Sequence, residues 1–202
     1  MRTFAILPAA GRSLRMGRPK LLLPWGETTL VQHVVRNWRA SRVEQVILVL
    51  HPDDAEIAEH CQGAFTAVCE RPPAEMKDSI CYGVRVAEER FQAAPPDVWL
   101  VAPADMPAIS PEVINTMLAA YEQSVSQAKE PPRIWVAQHA GRRGHPVLFT
   151  WTMAAEVAAL GPEESLKTLF ERHPIESVEV DSDGIFADLD TPEDYQRHRP
   201  TT

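Results

Sequence analysis

The stretch Ile6-Leu7-Pro8-Ala9-Ala10-Gly11-Arg12-Ser13-Leu14-Arg15-Met16-Gly17-Arg18-Pro19-Lys20-Leu21-Leu22-Leu23-Pro24-Trp25 decides how the rest of the chain is read. It follows an apolar run from Thr3 to Leu7, short enough for a strand buried on both faces. The run ends in a small-residue loop that gathers Ser13, three arginines and Lys20 before apolar chain resumes at Leu21. Glycines let backbone N–H groups approach an anion, a hydroxyl adds a hydrogen bond, and the cations neutralise a polyanion. The loop therefore reads as a phosphate cradle. It is not a Walker loop, because Arg18 and Pro19 separate the second glycine from Lys20, and no GxGxxG is present.

Outward from the loop, strands and helices alternate. Thr28 or Thr29 caps a helix whose Leu30, Val31, Val34, Val35 and Trp38 share one face. Val46 to Leu50 is a second buried strand, with a short helix beyond Asp53 and Asp54, and Phe65 to Cys69 is a weaker third. A helix is expected from about Asp78, a strand over Val98 to Ala102, and a helix from Ser110 and Pro111 through Tyr121. Ser124 to Pro132 reads as a surface connection. Ile134 to Gln138 and Val147 to Phe149 read as strands flanking a basic, glycine-rich, hairpin-like excursion from Gly141 to Pro146. Helices over Met153 to Leu160 and Ser165 to Phe170, strands over Ile175 to Val180 and Ile185 to Leu189, and a helix capped by Thr191 complete the pattern.

This alternation implies an α/β fold of Rossmann-like type: a mostly parallel central sheet with helices on both faces, in one domain over residues 1–202. Ligands of such sheets bind outside the carboxyl ends of the strands. The Ala9 to Lys20 loop, the Asp105 loop and the Asp188 to Asp190 turn should meet there.

The chain carries 20 Lys and Arg against 28 Asp and Glu, a net charge of −8. That excludes an extended nucleic-acid surface, which needs a clustered basic face. The odd cysteines Cys61, Cys69 and Cys81 lack a CxxC spacing and read as buried thiols, not a disulfide frame or zinc site. No apolar run approaches the length of a membrane span, and no signal-peptide layout opens the chain, so a cytoplasmic location is expected.

Asp105, between Pro103 and Pro107 just past a strand, is placed to hold Mg²⁺ against a triphosphate, or else to cap a turn. Asp188 and Asp190, two apart, share a side on extended backbone and offer a second ligand, or cap the last helix. Lys20 and Arg15 gain weight from their place in the loop. His145 is a ligand contact or a turn residue, and Ser79 a substrate contact or a cap. The remaining histidines show no metal spacing, and no GxSxG marks a hydrolase.

Taken together, these residues resemble the small nucleotidyltransferases of molybdenum-cofactor maturation, especially the cytidylyltransferase branch. The loop Ala9 to Lys20 with Leu22-Leu23-Pro24, then Asp105-Met106-Pro107, Gly144-His145-Pro146 and Asp188 to Asp194 follow that family's motif order across nearly the whole chain. The resemblance implies Mg²⁺-dependent transfer of a nucleoside monophosphate from NTP to a phosphate on a pterin cofactor, with release of pyrophosphate. It implies that Ala9, Ala10 and Gly11 lie against base and ribose, that Ser13, Arg15 and Lys20 hold the triphosphate, and that Asp105 and Asp190 hold the metal. Arg15, Lys20 and Asp105 would be the catalytic groups. Ser79, Gly144, His145 and Pro146 would shape the acceptor side.

Ala10 resembles the cytidine-using branch, since guanylyl-transferring relatives tend to carry glycine there, so CTP is the expected donor and GTP the alternative. Glu75 departs from the family's glycine in a G-x-x-x-S pattern ending at Ser79, which places the acceptor in doubt. A sugar or alditol phosphate is the alternative acceptor, a client molybdoenzyme a further partner, and a non-catalytic delivery chaperone the reading from another class.

Overall fold

The structure, a computed structural model, describes residues 1–11 and 19–200. Its strands are β1 (Thr3–Pro8), β2 (Pro24–Trp25), β3 (Thr28–Thr29), β4 (Gln45–Leu50), β5 (Phe65–Val68), β6 (Val98–Val101), β7 (Ile134–His139), β8 (Arg142–Thr150) and β9 (Ile175–Glu179). The helices are α1 (Leu30–Arg39), α2 (Ala55–Glu59), α3 (Met76–Phe91), α4 (Pro111–Gln127), α5 (Ala154–Ala158), α6 (Leu166–Arg172) and α7 (Pro192–His198). Seven strands form one sheet in the order β5-β4-β1-β6-β8-β7-β9, and β2 pairs with β3 as a separate ribbon. Within the seven-stranded sheet β8 runs against its neighbours β6 and β7 and the other pairings are parallel, whereas the β2–β3 ribbon is antiparallel. This is the α/β architecture expected from the sequence.

The strands alternate between two cores, because successive side chains leave a strand on opposite faces. Ala5, Leu7, Leu48, Leu50 and Leu100 enter the core beneath α1 and α4. Phe4, Ile6, Ile47, Val49, Trp99 and Val101 enter the other, beneath α3, α5 and α6. Each fully buried Leu or Ile contributes about 1.5–3 kcal/mol by leaving water. On the second face α3 lies so near the sheet that a Cβ at Gly83 would stand 2.6 Å from Ile6 Cγ2 and 2.9 Å from Val49 Cγ2.

Several local expectations are corrected. Helix α3 begins at Met76, not near Asp78, because Asp78 Oδ2 accepts the Glu75 N–H at 2.9 Å and fixes an earlier first turn. Helix α4 continues to Gln127, absorbing the start of the expected surface connection. The basic segment after Gly141 is paired strand: β8 starts at Arg142, and Ala140 and Gly141, both at positive φ, make the turn. Ile185 belongs to a 3-10 helix, Asp183–Phe186, not to a last strand. It and Leu189 are buried from irregular backbone. Cys61 and Cys69 are buried and Cys81 partly so, all as free thiols. Burial pushes the Cys61 thiol up to about 12.

Candidate active site

At the carboxyl edge of the sheet, β1 exits between two neighbours that hold it by backbone bonds. Ala9 N–H donates to Val49 O at 2.8 Å, and Ala104 N–H donates to Pro8 O at 3.0 Å, so the β1 and β6 loops are tied side by side. Leu189 N–H donates to Asp105 O at 3.2 Å and brings the C-terminal turn to the same place. Helix α7 secures that turn. Asp194 accepts from the Thr191 N–H at 3.0 Å, and the Tyr195 hydroxyl donates to Pro24 O at 2.5 Å, beside the segment that carries Lys20.

These ties bring Lys20, Asp105 and Asp190 together. Lys20 Nζ forms an ion pair with Asp105 Oδ2 and another, at 3.1 Å, with Asp190 Oδ1. Burial works against the ammonium, but Asp105 and then Asp190 outweigh it and hold the Lys20 pKa above its ordinary 10.5. Asp105 Oδ1 is buried and has no hydrogen-bond partner among the described residues.

The trio forms one wall of a cleft of about 530 Å³. Ala9, Ala10 and Gly11 form another, Pro73 and Ala74 lie at the rim, and Ser79 reaches it from α3. A Cβ at Gly11 would meet nothing within 4 Å among the described residues.

Asp188 and Asp190 do not point the same way. Asp190 faces the first cleft, whereas Asp188 lines a second cavity of about 940 Å³. The 188–190 segment is irregular backbone outside the sheet, so the strict alternation of a strand does not govern it. Gly144 and His145 also line the second cavity, while Pro146 is buried beside it in β8 and Ser79 lies in the first cleft. The four residues expected on one acceptor side are thus divided, with Glu75, Met76 and Pro103 as the wall common to both spaces. Gly144 is required by packing: a Cβ there would be 2.5 Å from Ile185 O.

His145 is largely buried. Burial holds its pKa below 6.5, against the opposing pull of the Val101 carbonyl, Asp105 and Asp188. Its Nδ1 has no hydrogen-bond partner among the described residues. Ser13 and Arg15 lie outside the described residues.

Sequence reasoning missed the residues that hold the Asp105 loop. Asn37 Nδ2 donates to Pro107 O and Ile109 O, each at 3.2 Å, and His33 Nε2 lies 3.2 Å from Pro107 O. The signal was present as two polar side chains four residues apart on α1, flanking its apolar face. Glu75, which departed from the family pattern, lies 3.4 Å through its Oε2 from Lys77 Nζ. That ammonium in turn donates to Gly161, Pro162 and Glu164 carbonyls, each at 2.6 Å, and fixes the loop before α6.

Among the described residues no three His, Cys, Asp or Glu side chains converge as a closed metal cage. Two carboxylates with an unpartnered buried oxygen fit a hard cation that keeps water and substrate phosphate as its other ligands, as Mg²⁺ does.

Comparisons with known proteins agree with this geometry. Over 203 residues the chain is 26% identical to the purine catabolism protein PucB of Bacillus subtilis, covering 95% of this chain and 93% of that protein. It is 33% identical over 135 residues to the 2-C-methyl-D-erythritol 4-phosphate cytidylyltransferase of Cereibacter sphaeroides, covering 65% of this chain and 59% of the relative's length. Among solved structures, Rv0371c from Mycobacterium tuberculosis superposes with a TM-score of 0.78 at 25% identity, covering 98% of this chain and 96% of its own. That protein has also been solved in complex with manganese. A family model described as a MobA-like NTP transferase domain matches residues 5–178. The chain belongs to the MobA-like NTP transferase family and is a nucleotidyltransferase.

Proposed function

We propose that this protein, as one nucleotidyltransferase domain over residues 1–202, transfers CMP from CTP to the phosphate of a molybdopterin-type cofactor and releases pyrophosphate. The observation that carries the reading is the meeting of Lys20, Asp105 and Asp190, from three distant parts of the chain, on the wall of the cleft lined by Ala9 to Gly11. In the reaction an acceptor phosphate oxygen bonds to the α-phosphorus while the bond to the β-phosphate oxygen breaks. The acceptor is already a nucleophile, so no covalent enzyme intermediate is required, and catalysis reduces to alignment and charge neutralisation.

Ala9, Ala10 and Gly11 pack against base and ribose. Lys20, with Ser13 and Arg15 of the loop, holds the triphosphate, and Asp105 and Asp190 would hold Mg²⁺. When bound, that ion neutralises charge developing on the phosphates. Ser79 reaches the junction from α3, and Gly144, His145 and Pro146 shape the far side. Ala10 supports a pyrimidine donor, because its Cβ takes the room a purine would need.

The test is to incubate the protein with Mg²⁺, molybdenum cofactor and each NTP, and to measure pyrophosphate and product mass. CTP is expected to give pyrophosphate and a cytidylylated pterin; no pyrophosphate with any NTP would overturn the reading. An alditol phosphate acceptor is the second reading. It is favoured by the 33% identity to a cytidylyltransferase for 2-C-methyl-D-erythritol 4-phosphate and by the Glu75 carboxylate on the common wall, a natural acceptor for hydroxyl protons.

A further inference from the structure

Lys20 binds both of the carboxylates proposed to hold the metal. Its Nζ is paired with Asp105 Oδ2 and lies 3.1 Å from Asp190 Oδ1, and all three side chains line the first cleft. A lysine ammonium and a divalent cation held by the same two carboxylates stand close enough to repel each other strongly. Lys20 also has freedom to leave. Its ammonium sits on a flexible four-carbon stem, and the residue opens a 3-10 helix anchored by its neighbour, the buried Leu21, so the side chain can swing without moving the backbone.

We propose that Lys20 is the resident counter-ion of the Asp105–Asp190 pair and gives up this place when a divalent cation binds, turning its ammonium toward the triphosphate in the same cleft. Without the cation, Lys20 sets a positive charge between two neighbouring carboxylates and lowers their mutual repulsion. In the loaded site it is a triphosphate ligand. Because one side chain serves both states, metal and nucleotide affinities are coupled through it, and the coupling is reciprocal. The inference rests on the reading of Asp105 and Asp190 as metal ligands.

The test is a Mn²⁺ titration of the full chain at pH 8 without nucleotide, followed by the paramagnetic resonance of free Mn²⁺. Lys20→Met is expected to bind Mn²⁺ at least about fivefold more tightly than wild type, the lower end of ordinary coupling between sites. Asp105→Asn and Asp190→Asn are expected to weaken binding. A non-hydrolysable CTP analogue should tighten Mn²⁺ binding more in wild type than in Lys20→Met.

Unchanged or weaker Mn²⁺ binding by Lys20→Met, with the two Asn variants impaired, overturns the exchange alone. Asn variants that bind Mn²⁺ as wild type does overturn the metal reading and the exchange with it. The wild-type chain provides a check that needs no variant: amine acetylation of Lys20, read by mass spectrometry, should quicken with Mn²⁺ occupancy. An unchanged or slower rate contradicts the exchange.

Discussion

The two cavities at the carboxyl edge of the sheet are neighbours that share Glu75, Met76 and Pro103 and differ in the rest of their lining. The first is organised by charge: a lysine and two aspartates held in register by backbone bonds from β1, β6 and the turn before α7. The second is larger, lined by Ile80, Val101, Met106, Val136 and Val147 together with Arg142, Arg143 and Lys167, and includes His145, whose pKa burial lowers. Glu75, Met76 and Pro103 divide them. Such a pair suits a reaction whose donor is a polyanion and whose acceptor presents an apolar body. In the proposed reaction the first space would stabilise charge, the second would select by shape, and the bond would form where they meet.

Asp105→Asn should break this comparison most severely. It neutralises one of the two carboxylates paired with Lys20, the one with the unpartnered oxygen, and turnover should fall by about a thousandfold, the upper end for loss of one transition-state charge contact. Circular dichroism should remain that of the native fold. A kcat within tenfold of wild type would move the reaction centre out of the first cleft.

Gly144→Ala probes the other side. Its Cβ would meet Ile185 O at 2.5 Å and Phe186 Cδ1 at 3.0 Å, pushing the start of β8 away from the 3-10 helix. Stability should drop by about 1–3 kcal/mol, as for other overpacked sites, and acceptor KM should rise by about tenfold with the nucleotide KM unchanged. Equal rises in both KM values would mean that the cavities are not functionally separate. Ala10→Gly should have a smaller effect, lowering the ratio of CTP to GTP kcat/KM by about tenfold, the lower end of the range for one methylene in a pocket. An unchanged ratio would remove Ala10 as the discriminator.

The sequence displayed the first cleft far better than the second. Runs such as Val46 to Leu50 read as strands because apolar side chains on consecutive residues can be buried on both faces only within a covered sheet, and that topology brought Lys20 to Asp105 and Asp190. The second cavity depends on features that leave no periodic trace. Ile185 and Leu189 are apolar and buried like strand residues, yet a 3-10 helix and a turn deliver them. Ser79 and His145 fall on different sides because α3 and β8 reach the edge from different positions, which spacing along the chain does not encode. The early start of α3 rests on one side-chain contact, from Asp78 back to Glu75. Asn37 and His33 act across 70 and 74 residues, beyond any local pattern.

The smallest expected effect separates the cavities by pH. Burial lowers the His145 pKa below 6.5, whereas the Lys20 pKa is raised above 10.5, so mild acid alters the second space and leaves the first ammonium charged. For His145 the folded state releases its proton more readily than the unfolded state, so the unfolded chain binds protons first as pH falls. Stability contributed by the neutral imidazole is complete above the unfolded value near 6.5 and is lost as pH falls through the folded value. His33 is lowered by burial too and adds a loss of the same sign. Melting temperature should therefore decline from pH 7 downward, and His145→Gln, which cannot titrate, should flatten part of that decline. In wild type the acceptor KM should change over the same interval while the nucleotide KM stays level. If His145→Gln leaves the slope of melting temperature against pH unchanged, the imidazole is not the group that senses acid in the second cavity.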